Sequence, residues 1–200
     1  MTDSAKASGK VTRTEVSDPR VLRAIAHPVR TRVLGEVYAA GHLRAADVAE
    51  RLGIPANQAS FHLRQLAKYG LVEPAPDLAR DGRDRVWKPA REGVLSFDAE
   101  DVEKGPGGKA AVTVWRRQAV ASAKEAVERA YSSHKQRNVQ VMISDDWIRL
   151  TKHEAREFSE ELMALQERWT QRTRQTPPRK GVRRTYHLMQ ILQPAPEVEQ

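Results

Sequence analysis

Asn57, Ser60, Phe61, Arg64 and Lys68 fall on one arc when residues 55–69 are wound as a helix. The arc holds an amide, a hydroxyl, an aromatic ring and two cations, with no carboxylate. Amide and guanidinium groups pair with the edges of bases, while hydroxyls and cations hold phosphate oxygens. An acid placed there would repel a polyanion. Gln58 and Gln65 flank the arc. Ala59, Leu63 and Leu66 occupy the opposite side, with His62 at its edge, in the i, i+4, i+7 spacing of a stripe turned toward a core. Pro55 suits the first turn, where its missing N–H costs nothing, and Gly70 suits the stop. An ordinary amphipathic surface helix has the same two faces, so the neighbouring elements decide between the two readings.

A second group of cations follows. Arg80, Arg83 and Arg85 lie in and after the link PAPDLARDGRD, between two short strand signals at Leu71–Glu73 and Arg85–Pro89. The link carries the turn pair Asp81-Gly82, so the segment is expected to be a basic hairpin. Asp77, Asp81 and Asp84 partly cancel its charge, and a solvated loop is the plain alternative. From Asp18 to Ala90 there are 12 Arg and Lys against 8 Asp and Glu, a modest excess of +4.

The elements that must hold these groups precede them. Asp18 caps a helix that starts at Pro19, and Pro28 starts a second one ended by Gly41. Leu43 is placed in a short extended link. A third helix runs over Ala45–Leu52, and Gly53 follows as a turn. The 45–52 and 55–69 helices are the two arms of a helix-turn-helix, whose second arm enters a major groove. The hairpin is then a wing that reaches backbone or minor groove beside it.

The runs DPRVLRAIAHPVRTRVLGEV, DVAERLG and QASFHLRQLAKYGLV, followed by a hairpin, resemble the winged helix-turn-helix regulators of the ArsR-like class. The turn His27-Pro28-Val29-Arg30 and the run Ser60-Phe61-His62-Leu63-Arg64 are the most diagnostic pieces. The resemblance spans about Asp18 to Phe97. It implies a homodimeric, sequence-specific DNA-binding transcriptional regulator, usually a repressor. The family commonly has Ser-His-His-Leu where this chain has Ser60-Phe61-His62-Leu63, so Phe61 departs from the pattern at an outward position. It touches a thymine methyl in one reading and a partner protein in the other. The alternative function is therefore a winged module for protein interaction without specific DNA binding. Metal-sensing relatives bind through cysteines, and this chain has none.

Composition agrees with a nucleic-acid partner. The 200 residues carry a formal charge of +8 and a pI near 10.0, with 40% hydrophobic and 30% charged residues. No apolar run approaches the roughly 20 residues of a membrane span, and the first residues lack the apolar segment of a secretory signal. A cytoplasmic protein without a membrane partner is expected. Enzyme chemistry has no support: no serine sits in a nucleophile elbow, the six histidines lack a helical metal spacing, and Asp145-Asp146 is a turn. No cofactor and no metal are expected.

The expected class is α+β, with a winged helix-turn-helix domain followed by a small C-terminal helix-strand-helix-strand domain. Residues 1–17 are assigned to a disordered tail, 18–92 to the winged domain and 93–108 to an acidic linker broken at Gly105-Pro106-Gly107-Gly108. Residues 109–195 form a dimerisation domain with room for a small-molecule effector of unidentified chemistry, and 196–200 a tail. In that second domain a helix is expected over 109–136, with Val112, Trp115, Ala119, Ala123, Ala126 and Ala130 as a slender stripe suited to a dimer seam or to packing within the domain. Strands are expected at 139–143, 147–150 and 183–192, and a helix from Thr151, whose capping box ends in Glu154, to about Arg172. Trp115, Trp147 and Trp169 are expected in the core. The acid-free basic run between Gln171 and Arg184 is read as a solvated loop, with a second nucleic-acid contact as the rival.

Overall fold

The computed structural model describes residues 13–79, 85–91, 93–132, 139–178 and 181–196. Asp18 caps the first helix, α1 (Pro19–Ile25), by accepting from the backbone N–H of Arg20 at 2.8 Å. Its last carbonyls, which no helix can satisfy internally, are taken by the next element. Arg30 Nε donates to Ala24 O at 2.6 Å and Thr31 Oγ1 to Ile25 O at 2.5 Å. Both residues sit in α2 (Pro28–Ala40), which His27 caps by accepting from the Arg30 N–H at 3.5 Å. Those bonds fix how α1 meets α2.

The strand β2 (Leu43–Arg44) leads into α3 (Ala45–Leu52) and, after a turn at Gly53, into α4 (Ala56–Lys68). Gly53 has φ +63°, a conformation that a side chain makes costly, and this left-handed residue lets α4 leave α3 sharply. Pro55 stands at the N-cap of α4 rather than inside its first turn, a one-residue difference from the sequence expectation. The wing is formed by β3 (Val72–Pro74) and β4 (Val86–Pro89), antiparallel, with Glu73 opposite Lys88. Strand β4 also pairs with β2, giving the order β2-β4-β3. Val33, Val37, Leu43, Val48, Leu63, Leu66, Leu71 and Trp87 are buried in one core between helices and sheet.

Three sequence assignments change at the edges of this domain. Residues 13–16 are not tail: β1 (Arg13–Glu15) pairs parallel with β5 (Val94–Ser96), Val16 N–H donates to Ser96 O at 2.8 Å, and Val16 is buried. Residues 93–108 are not a free linker. They hold β5 and α5 (Ala99–Lys104), whose acidic first turn suits a helix start and whose Val102 is buried. The Gly-rich break is a tight corner, because Gly108 lies so close under Val102 that an added Cβ would sit 1.8 Å from Val102 O. From it rises α6 (Gly108–Ser132), whose Ala111 and Val112 join Leu22 and Val102 in a second small core. The ring of Phe97 meets Trp115 edge-on at 4.6 Å. The beginning of α6 thus belongs to the winged domain.

The last helix, α7 (Lys152–Gln175), starts with the expected capping box: Glu154 N–H donates to Thr151 Oγ1 at 3.2 Å and Thr151 N–H to Glu154 Oε2 at 2.7 Å. It packs on α2. The α+β class holds, but the strands expected at 139–143, 147–150 and 183–192 do not form among the described residues. Alternation supplies two faces but no partner, and without a paired edge there is no strand. Trp147 and Trp169, expected in the core, are 79% and 55% exposed.

Candidate nucleic-acid interface

The inner side of α4 carries Ala59, His62, Leu63 and Leu66, all buried. That burial presses the helix onto α2 and α3 and fixes its rotation about its own axis. Rotation decides everything about the outer face. Asn57, Gln58, Phe61, Arg64 and Lys68 are exposed as a result, and Ser60 and Gln65 are half-buried at the margins. Asn57, Phe61, Arg64 and Lys68 lie on the open side as expected, whereas Ser60, expected with them on the arc, lies at its margin and Gln58, expected as a flank, is exposed. No acid lies in the first turn, and the N-cap residue Pro55 makes no side-chain cap bond. Asn57 Oδ1 accepts from Gln58 N–H at 2.9 Å. Phe61 is 49% exposed and rests edge-on against His62, with ring centroids 5.4 Å apart.

On the wing, Arg85 is exposed at the foot of β4. Arg80 and Arg83 lie outside the described residues. Lys88 reaches across to Glu73 at 3.1 Å, an exposed pair that lowers the local positive charge and adds little stability. At the start of α3, Arg44 holds Asp47 at 2.7 Å, and the guanidinium hydrogen bond keeps that carboxyl below the usual carboxylate range.

Sequence reasoning left one supporting pair unconnected. His27, at the head of α2, lies against His62 on the inner side of α4, with ring centroids 5.1 Å apart. Burial pushes both imidazoles below their ordinary value, and the Arg30 cation adds to both. Each histidine was visible in its motif, but nothing local links positions 35 residues apart.

Two cations of the basic run between Gln171 and Arg184 are used internally, while Arg179 and Lys180 lie outside the described residues. Arg174 Nη2 donates to Tyr38 O on α2, and Arg183 Nη1 donates to Thr173 O and Thr176 O at 2.5 Å each, closing the end of α7. Glu36 is a buried carboxylate on α2. Arg51 reaches it at 3.3 Å and Thr185 Oγ1 donates to it at 2.8 Å, which ties the C-terminal segment to the helix-turn-helix. Among the described residues no three His, Cys, Asp or Glu side chains gather as a metal site. No described helix is long and apolar enough to cross a membrane.

Residues 25–75 match the helix-turn-helix domain family. That span holds α2, both arms and the first wing strand. No curated protein matches the chain. Among solved structures, the YusO protein of Bacillus subtilis is 14% identical over 74% of this chain and 83% of its own, with a TM-score of 0.32. Apo MarR of E. coli is 14% identical over 74% and 87%, with a TM-score of 0.33. ZitR of Lactococcus lactis is 18% identical over 74% and 81%, with a TM-score of 0.25. At such TM-scores the overlap is loose.

Proposed function

We propose that the chain is a sequence-specific DNA-binding transcriptional regulator of the ArsR-like type, acting as a homodimeric repressor in the cytoplasm. The observation that carries the reading is the outer face of α4: exposed, acid-free and fixed in rotation by four buried residues on its other side. Arg64 reads guanine with two hydrogen bonds, Asn57 and Gln58 pair with adenine edges, and Lys68 holds phosphate. Ser60 and Gln65 serve from the margins, and Phe61 packs on a thymine methyl. Arg80, Arg83 and Arg85 on the wing neutralise backbone charge. Two copies set their reading helices about one helical turn of DNA apart.

The half-exposed ring of Phe61 favours a second reading, in which the winged domain docks a protein instead. Fluorescence polarisation with duplex DNA at two salt concentrations separates them. The regulator binds its operator at physiological salt and loses affinity steeply as salt rises. Absence of any duplex binding at low salt rejects it in favour of the protein-docking reading.

A further inference from the structure

The C-terminal segment meets the winged domain beside the wing. Arg183 and Arg184 form part of one wall of an open cleft. The facing wall includes His42, Arg44 and Glu50, with Leu78 and Val86 from the two ends of the wing loop. Four arginines and two carboxylates line the cleft. Three of those arginines are engaged. Arg44 holds Asp47 at 2.7 Å, Arg51 holds Glu36 at 3.3 Å, and Arg183 donates to the carbonyls at the end of α7. Arg184 is exposed and, among the described residues, pairs with no acid. Its two neighbours are tied down, Arg183 to Thr173 and Thr176, and Thr185 to Glu36 at 2.8 Å. A cation carried between two anchored residues loses little backbone freedom when it takes a ligand. Position says which ligand. Val86 follows Arg85 directly and Leu78 precedes Arg80 by two residues, so the cleft is continuous with the basic wing.

We propose that Arg184 holds a phosphate of the DNA backbone beside the one neutralised by Arg85, so that the C-terminal segment extends the wing's contact along the duplex. The inference rests on the regulator reading and adds a contact from outside the helix-turn-helix. A guanidinium without a carboxylate matches a phosphate, whose oxygens accept both arms of its N–H fork. The cleft is open, as a backbone running past it requires. A small anion would need enclosure on most sides to be held by one cation. Glu50 is the group that opposes the contact. It is an exposed acid on the same cleft, and its charge repels a phosphate.

Fluorescence polarisation of the full chain on a mixed-sequence duplex, at several salt concentrations, tests the contact. Arg184→Gln is expected to lower affinity several-fold and to reduce the slope of log K against log salt by about one unit. Glu50→Gln is expected to raise affinity, because an acid beside the phosphate is gone. Arg156→Gln is the control. It lies on the order of 25 Å along α7 from the Arg183 contact and is expected to change neither quantity, since exposed charges more than about 10 Å apart are screened. All three side chains belong to exposed residues, so thermal melting by circular dichroism is expected to stay at the wild-type value. A wild-type slope in Arg184→Gln, or no gain in Glu50→Gln, overturns the contact while the regulator reading stands. An equal loss in Arg156→Gln reduces the effect to net charge and overturns it too. A wild-type slope in Arg184→Gln together with lost binding of inorganic phosphate assigns the cleft to a small anion instead. A wild-type chain that binds no duplex at low salt removes the regulator reading itself.

Discussion

The imidazoles of His27 and His62 face one another at 5.1 Å with their planes tilted by 46°, joining the head of α2 to the inner side of the reading helix. The Nδ1 atom of His62 is buried without a hydrogen-bond partner among the described residues. Neither ring gains from a proton there, because burial penalises the charge and Arg30 repels it. The Nδ1 of His27 is moreover already accepting from the Arg30 N–H.

This sets a pH dependence of known sign. The unfolded chain takes up protons at each histidine near the ordinary value of 6.5, whereas the folded chain does so only lower. The stabilisation is fully present above 6.5 and is lost as pH falls through the folded values. Melting temperature is expected to fall between about pH 7 and pH 5, before the carboxylates titrate. A His62→Gln variant is expected to melt with a shallower pH slope over that window. A wild-type melting temperature flat across it would contradict the assignment.

Arg64 and Lys68 are both exposed on α4 but are assigned different work. Replacing Arg64 with Ala is expected to cost about 1–3 kcal/mol on the cognate operator and much less on random duplex. Lys68→Ala is expected to weaken both equally. Competition binding with the two duplexes reads the difference, and an equal loss for Arg64→Ala would reassign that residue to phosphate.

The wing is proposed to act through charge alone. Arg85→Ala is expected to reduce the slope of log K against log salt by about one unit, with the base preference kept. Arg80→Ala and Arg83→Ala are expected to do the same. A titration over several salt concentrations measures it, and a changed base preference would place these side chains in a groove.

Leu63 is fully buried beneath the reading face, two positions from the half-exposed Phe61. Leu63→Ala is expected to cost about 2–5 kcal/mol, a large share of a domain's stability, and to abolish binding by loosening α4. Phe61→Ala is expected to leave stability within about 0.5 kcal/mol. Urea unfolding compares them, and equal losses would mean that Phe61 is a packing residue.

At the corner before α6, Gly108→Ala would place a methyl 1.8 Å from Val102 O, far inside van der Waals contact. The junction must open, so hydrogen exchange is expected to rise through residues 99–115 and the Phe97–Trp115 contact to loosen. Unchanged protection there would show that α5 and α6 do not depend on that close approach.

What the sequence determined by itself is local. The faces of α4, the starts at Pro19 and Pro28, the Gly53 turn and the Thr151–Glu154 cap follow from residues within one or two turns of each other, and helical bonds close over the same distance. The outward positions of Asn57, Arg64 and Lys68 followed once Leu63 and Leu66 were known to face inward. What only the tertiary structure decided involves partners far along the chain. Strand β1 needed an edge about 80 residues away, which no tail-like composition reveals. The acidic stretch became α5 because α1 and α6 bury Val102. The alternating segments after residue 138 were read as strands from their side chains, but a ladder is made by the backbone of a neighbour. Trp169 had the spacing of a core residue, and whether such a stripe is buried depends on what lies opposite it.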